Sequence, residues 1–243
     1  MAGIFVTGTD TDVGKTIVTA LLVDFYAKNG KNCIPFKPIQ TGAIEKDGGL
    51  VAPDSEIYQA ATSIEMKETY GYALKKACSP HLAAEIESIT FDIETITKKA
   101  RRLENEKDGI VIEGAGGLYV PINREGYHMI DFMQIFNFPV VLVARAGLGT
   151  INHTLLSIEA MKNRNLPIAG VIFNHLSEDD PVIEKDNIDM VQRLTGVPVI
   201  GSVPYYPNIH EDIFNKEVRD ALTKNWSIDK LMEAMYNAKP SVI

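Results

Sequence analysis

The residues with the clearest chemistry form the stretch Gly8-Thr9-Asp10-Thr11-Asp12-Val13-Gly14-Lys15-Thr16, which follows the short apolar run 4–6. Gly14 lets the backbone approach phosphate oxygens, while loop amides and a helix N-terminus supply partial positive charge. Lys15 and Thr16 offer an ammonium for the terminal phosphates and a hydroxyl for Mg²⁺. The stretch therefore predicts a phosphate-binding P-loop, one residue longer than the usual pattern.

Three further charged residues stand beside predicted strands or helices. Glu113 closes the apolar run 110–112, where a carboxylate has little structural reason to occur, so we interpret it as a Mg²⁺ ligand. Asp54 is a second candidate ligand, and its position equally suits the start of a short helix. Lys37 follows the apolar run 33–36, and beside a P-loop it would add positive charge where a phosphoryl group is transferred.

Apolar runs of strand length alternate with segments of helical spacing along most of the chain. We predict strands at residues 4–6, 33–36, 110–112, 139–144, 168–173 and 197–203. We predict helices at residues 16–29, 54–61, 92–105, 129–135, 150–164, 183–194 and 228–236, with a loop at 43–53 and irregular structure at 62–91. This alternation predicts an α/β fold of the P-loop NTPase type, with a mostly parallel, doubly wound sheet and helices on both faces.

The polar residues that end the predicted strands are expected to meet at one edge of the sheet. In parallel sheets, ligands bind beyond the carboxyl ends of the strands. The segments that end strands are the P-loop, Lys37, Glu113, Asn174 and Pro204. We therefore expect these scattered segments to form a single site.

Length and charge limit the classes of protein that need to be considered. A chain of 243 residues with 45% hydrophobic and 23% charged residues suits one α/β domain, covering residues 1–243. The tail after about residue 207 has no assigned role. A net charge of −8 argues against a general nucleic-acid binder, which would present a basic face.

The cellular compartment is also predicted from simple features. Cys33 and Cys78 form neither a C-x-x-C pair nor a metal-ligand cluster, which fits a reducing compartment. The N-terminus shows no signal-peptide pattern, and no apolar run approaches the roughly 20 residues that span a bilayer. We expect a cytoplasmic protein without a membrane segment.

Beyond the P-loop, short motifs occur in the order found in dethiobiotin synthetases, the ATP-dependent enzymes late in biotin biosynthesis. They are residues 6–16, Lys37-Pro38-Ile39-Gln40-Thr41-Gly42, Asp54, Ser79-Pro80-His81, Glu113-Gly114-Ala115-Gly116-Gly117, Gly149-Thr150-Ile151-Asn152-His153, Asn174 and Pro204. The chain resembles this family over residues 3–206, and the longer P-loop is a feature of the family. His175 departs from the family's usual pattern, and the tail carries no family motif.

The resemblance implies a reaction in which 7,8-diaminononanoate, CO₂ or bicarbonate, and MgATP give dethiobiotin, ADP and phosphate. One amine takes up CO₂ as a carbamate, whose oxygen attacks the γ-phosphate, and the other amine then closes the ureido ring. The family is homodimeric, and the substrate's carboxylate meets a helix N-terminus of the other subunit. Exposed amides at a helix start favour such an anion.

The resemblance also implies roles for individual residues. The residues with catalytic roles are Lys37, Lys15 and Thr11. The residues expected to bind the nucleotide are Asp12, Val13, Gly14, Lys15, Thr16, Ile17, Asp54, Glu113, Gly114, Ala115, Gly116, Asn174, Pro204, Tyr205 and Tyr206. The expected Mg²⁺ ligands are Thr16, Asp54 and Glu113. The expected substrate contacts are Thr41 and, at a helix start, Thr150, Ile151 and Asn152.

Two other classes of protein have P-loops of similar sequence. An amidotransferase-type synthetase of the cobyrinic acid diamide kind needs a glutaminase domain, for which 243 residues leave no room. A partition or cell-division switch ATPase carries a lysine early in its P-loop, at the position occupied here by Asp10. We therefore favour the ligase and keep the switch ATPase as the alternative.

Overall fold

The computed structural model describes residues 2–46 and 49–236, and its centre is a parallel β-sheet. The strands are β1 (Gly3–Gly8), β2 (Cys33–Thr41), β3 (Ile44–Lys46), β4 (Gly49–Val51), β5 (Tyr70–Leu74), β6 (Gly109–Gly117), β7 (Val140–Arg145), β8 (Ile168–Asn174) and β9 (Val199–Val203). Seven of them form the sheet in the order β5-β2-β6-β1-β7-β8-β9, and all of its described pairings are parallel.

Helices cover both faces of this sheet. They are α1 (Lys15–Lys28), α2 (Pro53–Tyr58), α3 (Pro80–Ile86), α4 (Ile93–Glu106), α5 (Met129–Phe136), α6 (Thr150–Asn163), α7 (Pro181–Thr195), α8 (Ile209–Asp212), α9 (Lys216–Leu222) and α10 (Ile228–Tyr236). Buried residues of α1, α2, α9 and α10 pack on one face. Buried residues of α3 to α7 pack on the other, which confirms the doubly wound α/β fold.

The amino-terminal halves of the central strands are apolar because both of their faces are buried. In β1, Ile4 and Val6 pack towards α1, whereas Phe5 packs towards the opposite layer and meets Phe132 edge to face. No helix within residues 2–46 and 49–236 has the length and apolarity needed to span a membrane. The sheet thus positions the loops that follow its strands, and these loops leave the core at the carboxyl ends of the strands.

Two strands extend further than the sequence predicts. β2 does not end before Lys37 but continues to Thr41, although Pro38 lies within it, and β6 continues past Glu113 to Gly117. The apolar runs identified only the amino-terminal halves, because polar residues begin where these strands reach the site. Lys37 and Glu113 are therefore strand residues, and the pairing of β6 with β1 shifts register just after Glu113.

Other elements were not predicted at all. Residues 43–53 contain the antiparallel strands β3 and β4 rather than a loop throughout; β3 is exposed and β4 is half-buried. In the region 62–91, β5 joins the edge of the sheet, where a Cβ on Gly71 would lie 2.4 Å from the Pro38 carbonyl oxygen. The tail contains α8 and α9. These segments have only three to seven residues each, too few for local periodicity to reveal them.

Candidate active site

The P-loop joins β1 to α1, and its backbone lies close to the side chain of Asn174. Gly14 has φ +92°, and a Cβ at this position would lie 2.0 Å from Nδ2 of Asn174. Asn174, at the end of β8, donates from Nδ2 to the Val13 carbonyl oxygen at 3.0 Å. The loop backbone is therefore held from the side by a residue of β8, two strands away from β1 in the sheet.

Lys15 is folded back over the loop that it follows. Its Nζ donates to the Asp10 carbonyl oxygen at 2.7 Å, and only 6% of the residue is exposed. Burial lowers the pKa of Lys15 to about 8; the charge of Glu113 opposes this effect, and that of Lys37 adds to it. The ammonium thus sits in a poorly hydrated position, where phosphate oxygens can replace the carbonyl.

A buried cluster of charges lies beside the P-loop. Lys37 on β2 forms ion pairs with Asp54 on α2 and with Oε1 of Glu113 on β6, the latter at 3.0 Å. The hydroxyl of Thr16 on α1 donates to the same Glu113 oxygen at 3.0 Å. Glu113 is only 1% exposed, so its charge depends on these partners for compensation.

The second oxygen of Glu113 has its own partner. The hydroxyl of Tyr58, at the last turn of α2, donates to Oε2 of Glu113 at 2.6 Å. Burial, followed by the charge of Glu113, raises the pKa of Tyr58 well above its ordinary value. Tyr58 therefore keeps its proton and holds the carboxylate in one orientation.

These groups share a cavity of about 1380 Å³. Its charged and hydroxyl-bearing lining includes Thr11, Asp12, Lys15, Thr16, Lys37, Thr41, Asp54 and Glu113. Its apolar lining includes Ile17, Ile39, Ile57, Leu176, Ile209 and Phe214. The arrangement can neutralise several phosphate charges at one part of the cavity and offer apolar surface elsewhere.

The donor set fits a hard cation held jointly with phosphates. Two carboxylates and one hydroxyl, from Asp54, Glu113 and Thr16, line the same cavity. Within the described part of the chain, no group of three or more His, Cys, Asp or Glu side chains could hold a metal alone. Mg²⁺ commonly uses one or two protein carboxylates and completes its shell with phosphates and water.

The predicted site residues divide into those that line the cavity and those that do not. Besides the charged and hydroxyl groups, the lining includes Gly14, Ile17, Ala115, Gly116 and Asn174. The residues that the cavity lining does not include are Val13, Gly114, Thr150, Ile151, Asn152, Pro204, Tyr205 and Tyr206. The roles of both groups stay predictions.

Sequence reasoning missed three contributors. Tyr58 lies four residues after Asp54, a spacing that places both side chains on the same face of α2, so its contact with Glu113 could have been suspected. Ile209 and Phe214 come from the tail that had no assigned role. They belong to no motif, and their place in the cavity lining is apparent only in the folded structure, where the tail packs near the P-loop.

Sequence comparisons identify close relatives of nearly the same length. The chain is 47% identical to the ATP-dependent dethiobiotin synthetase BioD of Halalkalibacterium halodurans, over 96% of this chain and 97% of that protein. It is 40% identical to the protein of the same name from Anoxybacillus flavithermus, over 88% and 96% of the two chains. A family model described as an AAA domain matches residues 2–212.

Solved structures with similar folds are more distant. The MinC:MinD cell division protein complex of Aquifex aeolicus superimposes with a TM-score of 0.58 at 16% identity, covering 100% of this chain and 99% of that one. The septum site-determining protein MinD complexed with Mg-ADP, from Pyrococcus horikoshii, gives 0.58 at 19% identity over 96% and 94%. At such identities the likeness concerns the fold alone. The family model and the close relatives, in contrast, agree along almost the whole length, and the chain belongs to the family of ATP-dependent dethiobiotin synthetases.

Proposed function

We propose that this chain is a cyclo-ligase that uses ATP to convert 7,8-diaminononanoate and CO₂ into dethiobiotin, with release of ADP and phosphate. The observation that carries the proposal is the position of Lys37, which lies between Asp54 and Glu113 in the cavity that also contains Lys15. The relatives are named for this reaction. We further propose that the enzyme works in the cytoplasm.

ATP would bind with its phosphates on the P-loop. Amides of residues 12–17 would face the phosphate oxygens, and the Lys15 ammonium would exchange the Asp10 carbonyl for them. Thr16, Asp54 and Glu113 would hold Mg²⁺, which when bound neutralises phosphate charge and orients the γ-phosphoryl group. The contacts of Thr16 and Lys37 with Glu113 support this assignment, since they bring hydroxyl, carboxylates and ammonium to one place.

The first covalent step joins one substrate amine to CO₂. A C–N bond forms, and the nitrogen loses a proton to solvent, which leaves a carbamate with one negative charge. Lys37 is the lysine best suited to face this carbamate, because Lys15 is committed to the phosphates. Thr11 and Thr41, which line the same cavity, would donate hydrogen bonds to the carbamate or to the free amine.

Phosphoryl transfer and ring closure follow. A carbamate oxygen attacks the γ-phosphorus, the bond to the bridging oxygen of ADP breaks, and a carbamic–phosphoric anhydride results. The second amine then attacks the carbamate carbon, phosphate leaves with the C–O bond electrons, and the nitrogen gives up a proton. Because negative charge is concentrated around the transferred group in both steps, two lysine side chains supply the main stabilisation.

The substrate's carboxylate is proposed to bind at the start of α6, supplied by the other subunit of a homodimer. Gly149 begins this helix with φ +88°, and Thr150 is buried against Thr154, so the first turn is rigidly formed. Its side chains and amides, from Thr150, Ile151 and Asn152, do not line the cavity of their own chain. A carboxylate at a helix N-terminus is favourable, and the separation from the chain's own cavity is what a shared site requires.

The decisive experiment measures dethiobiotin formation by mass spectrometry with ATP, bicarbonate and the diamine, and follows ADP release in parallel. We expect product and ADP in equal amounts, and ADP release that depends on both the diamine and bicarbonate. Vigorous ATP hydrolysis without the diamine, and no product, would instead support a switch ATPase. Light scattering after size-exclusion chromatography tests the homodimer.

A further inference from the structure

The C-terminal segment after β9 forms a wall of the cavity that the sequence did not assign. Ile209, His210 and Phe214 line the cavity together with the P-loop residues Gly14 and Lys15. Phe214 is 51% exposed, so its ring offers apolar surface to whatever occupies the cavity. We call Ile209 to Phe214 the C-terminal wall.

One buried arginine holds this wall in place. Arg219, on α9, is 8% exposed, and its Nη1 donates to the carbonyl oxygens of Ile213 and Phe214 at 2.8 and 3.0 Å. Its Nε donates to Oδ1 of Asp24 at 2.8 Å. A single guanidinium thus joins two backbone carbonyls of the wall to a carboxylate, a geometry that a lysine could not reproduce.

Asp24 lies on α1, the helix that also carries Lys15 and Thr16. It is 6% exposed and forms an ion pair with Lys28, which in turn pairs with Asp220 beside Arg219. The wall and the phosphate-binding residues are therefore both anchored to α1. A shift of the wall relative to the P-loop would require the buried pair of Arg219 and Asp24 to break.

The residues around the C-terminal wall indicate which part of ATP would contact it. With its phosphates on Lys15 and Thr16, ATP would extend its nucleoside over part of the remaining cavity lining. The apolar part of that lining includes Ile17, Leu176, Ile209 and Phe214. A flat aromatic base is the portion of ATP that gains most from apolar and aromatic surface.

We propose that Arg219 is a positioning residue for the nucleoside end of ATP, acting through the C-terminal wall, on which Phe214 packs against the base. This rests on the proposed use of ATP by the chain. Arg219 lies outside the matched family region, which ends at residue 212. In this proposal the tail contributes residues to the nucleotide site in addition to packing on the core.

The test compares three variants by isothermal titration with MgADP, which requires no turnover. Arg219→Met keeps the approximate length of the side chain but loses the three hydrogen bonds that the guanidinium donates, and Phe214→Ala removes only a half-exposed ring. Tyr26→Phe is the matched control, because its hydroxyl donates to the Leu231 carbonyl oxygen and ties α1 to α10 outside the cavity. We expect about tenfold weaker ADP binding for Arg219→Met, about fivefold for Phe214→Ala and no change for Tyr26→Phe.

Kinetics separate positioning from mere stability. We expect the KM for ATP to rise with the ADP dissociation constant, while kcat and the KM for the diamine stay within about twofold. A merely structural role would lower the melting temperature and the active fraction but leave the affinity of the folded fraction unchanged, and that result would overturn the proposal. Unchanged affinity in Phe214→Ala would overturn it even if Arg219→Met failed to fold.

The two proposals fail in distinguishable ways. If wild-type protein forms no dethiobiotin but the variants still weaken ADP binding, the ligase reaction is wrong and the role of Arg219 stands. If dethiobiotin forms normally and ADP affinity does not respond to either variant, the wall is not part of the nucleotide site.

Discussion

The two parts of the cavity differ in how they are built and in what they can recognise. Around Glu113 the lining is charged, buried and held by direct side-chain contacts, so it has little freedom to move. Around Phe214 the lining is apolar and partly exposed, and it is held from behind by Arg219. The charged part is suited to a transition state whose charge must be met by fixed groups, and the apolar part to binding whichever flat base is presented.

This difference predicts unequal sensitivity to mutation. Loss of a charged group at the phosphates should reduce kcat, because the group interacts most strongly when charge develops. Loss of the wall should mainly raise the KM for ATP. The following predictions test the contrast within the charged part, from the largest effect to the smallest.

Lys37→Ala should lower kcat by about 10²- to 10³-fold or more, because it removes the charge that faces the carbamate and the γ-phosphate. The measurement is dethiobiotin formation under saturating substrates. Lys75→Ala is the control, since Lys75 pairs with Glu45 at the surface, outside the cavity lining. Activity near that of the wild type would remove Lys37 from the mechanism.

Glu113→Gln should shift the Mg²⁺ concentration that gives half-maximal nucleotide binding upward, by about tenfold or more. An amide oxygen is a poorer ligand for Mg²⁺ than a carboxylate, and the amide group would also disturb the contact with Lys37. The readout is ADP binding during a Mg²⁺ titration. The buried carboxylate of Glu104, which pairs with Arg101 on α4, provides the control variant Glu104→Gln. Identical titrations would assign the metal elsewhere.

The affinity of the free enzyme for ADP should fall as the pH rises above about 8. Burial lowers the pKa of Lys15 to about 8, so the ammonium is largely present at pH 7 and is lost as the pH increases through this value. Bound phosphates favour the charged form, so binding takes up a proton at alkaline pH and weakens by up to about tenfold per pH unit.

Titration calorimetry between pH 7 and 9.5 measures this effect. Lys99→Met is the control, because burial also lowers the pKa of Lys99, whose Nζ contacts the Lys67 and Tyr70 carbonyls instead of the cavity. The control should keep the wild-type profile. An affinity that is constant over this range would show that the Lys15 charge does not govern binding.

Tyr58→Phe should have the smallest effect on catalysis, a loss of about two- to fivefold in kcat/KM for ATP, because the charged partners of Glu113 remain. The lost hydrogen bond to a charged acceptor, worth about 1.5–3 kcal/mol, should appear mainly as a lower free energy of unfolding. Glu113 would keep its contacts with Thr16 and Lys37. Tyr26→Phe again serves as the control, because it removes a comparable buried hydroxyl. An effect as large as that of Glu113→Gln would mean that orientation of the carboxylate matters as much as its charge.

Much of the fold was predictable because local physics is strong there. Helix α4 follows directly from Asp92, whose side chain caps Thr95 at 3.1 Å, and from the buried spacing of Ile96, Ala100 and Leu103. Strand β5 was not predictable: it is five residues long, contains Gly71 and, among the described residues, pairs with β2 alone. Edge strands of this kind are defined by their neighbour rather than by their own pattern.

The sequence by itself determined the P-loop, the parallel α/β sheet and the expectation that Lys37, Asp54 and Glu113 would meet at its edge. These depend on local periodicity and on the rule that parallel strands bring their carboxyl ends together. Only the tertiary structure decided that Tyr58 orients Glu113 and that Arg219 anchors the wall to Asp24, a contact across 195 positions of the chain. Such contacts arise from packing between elements, and a single chain's local pattern contains no information about which distant surfaces will meet.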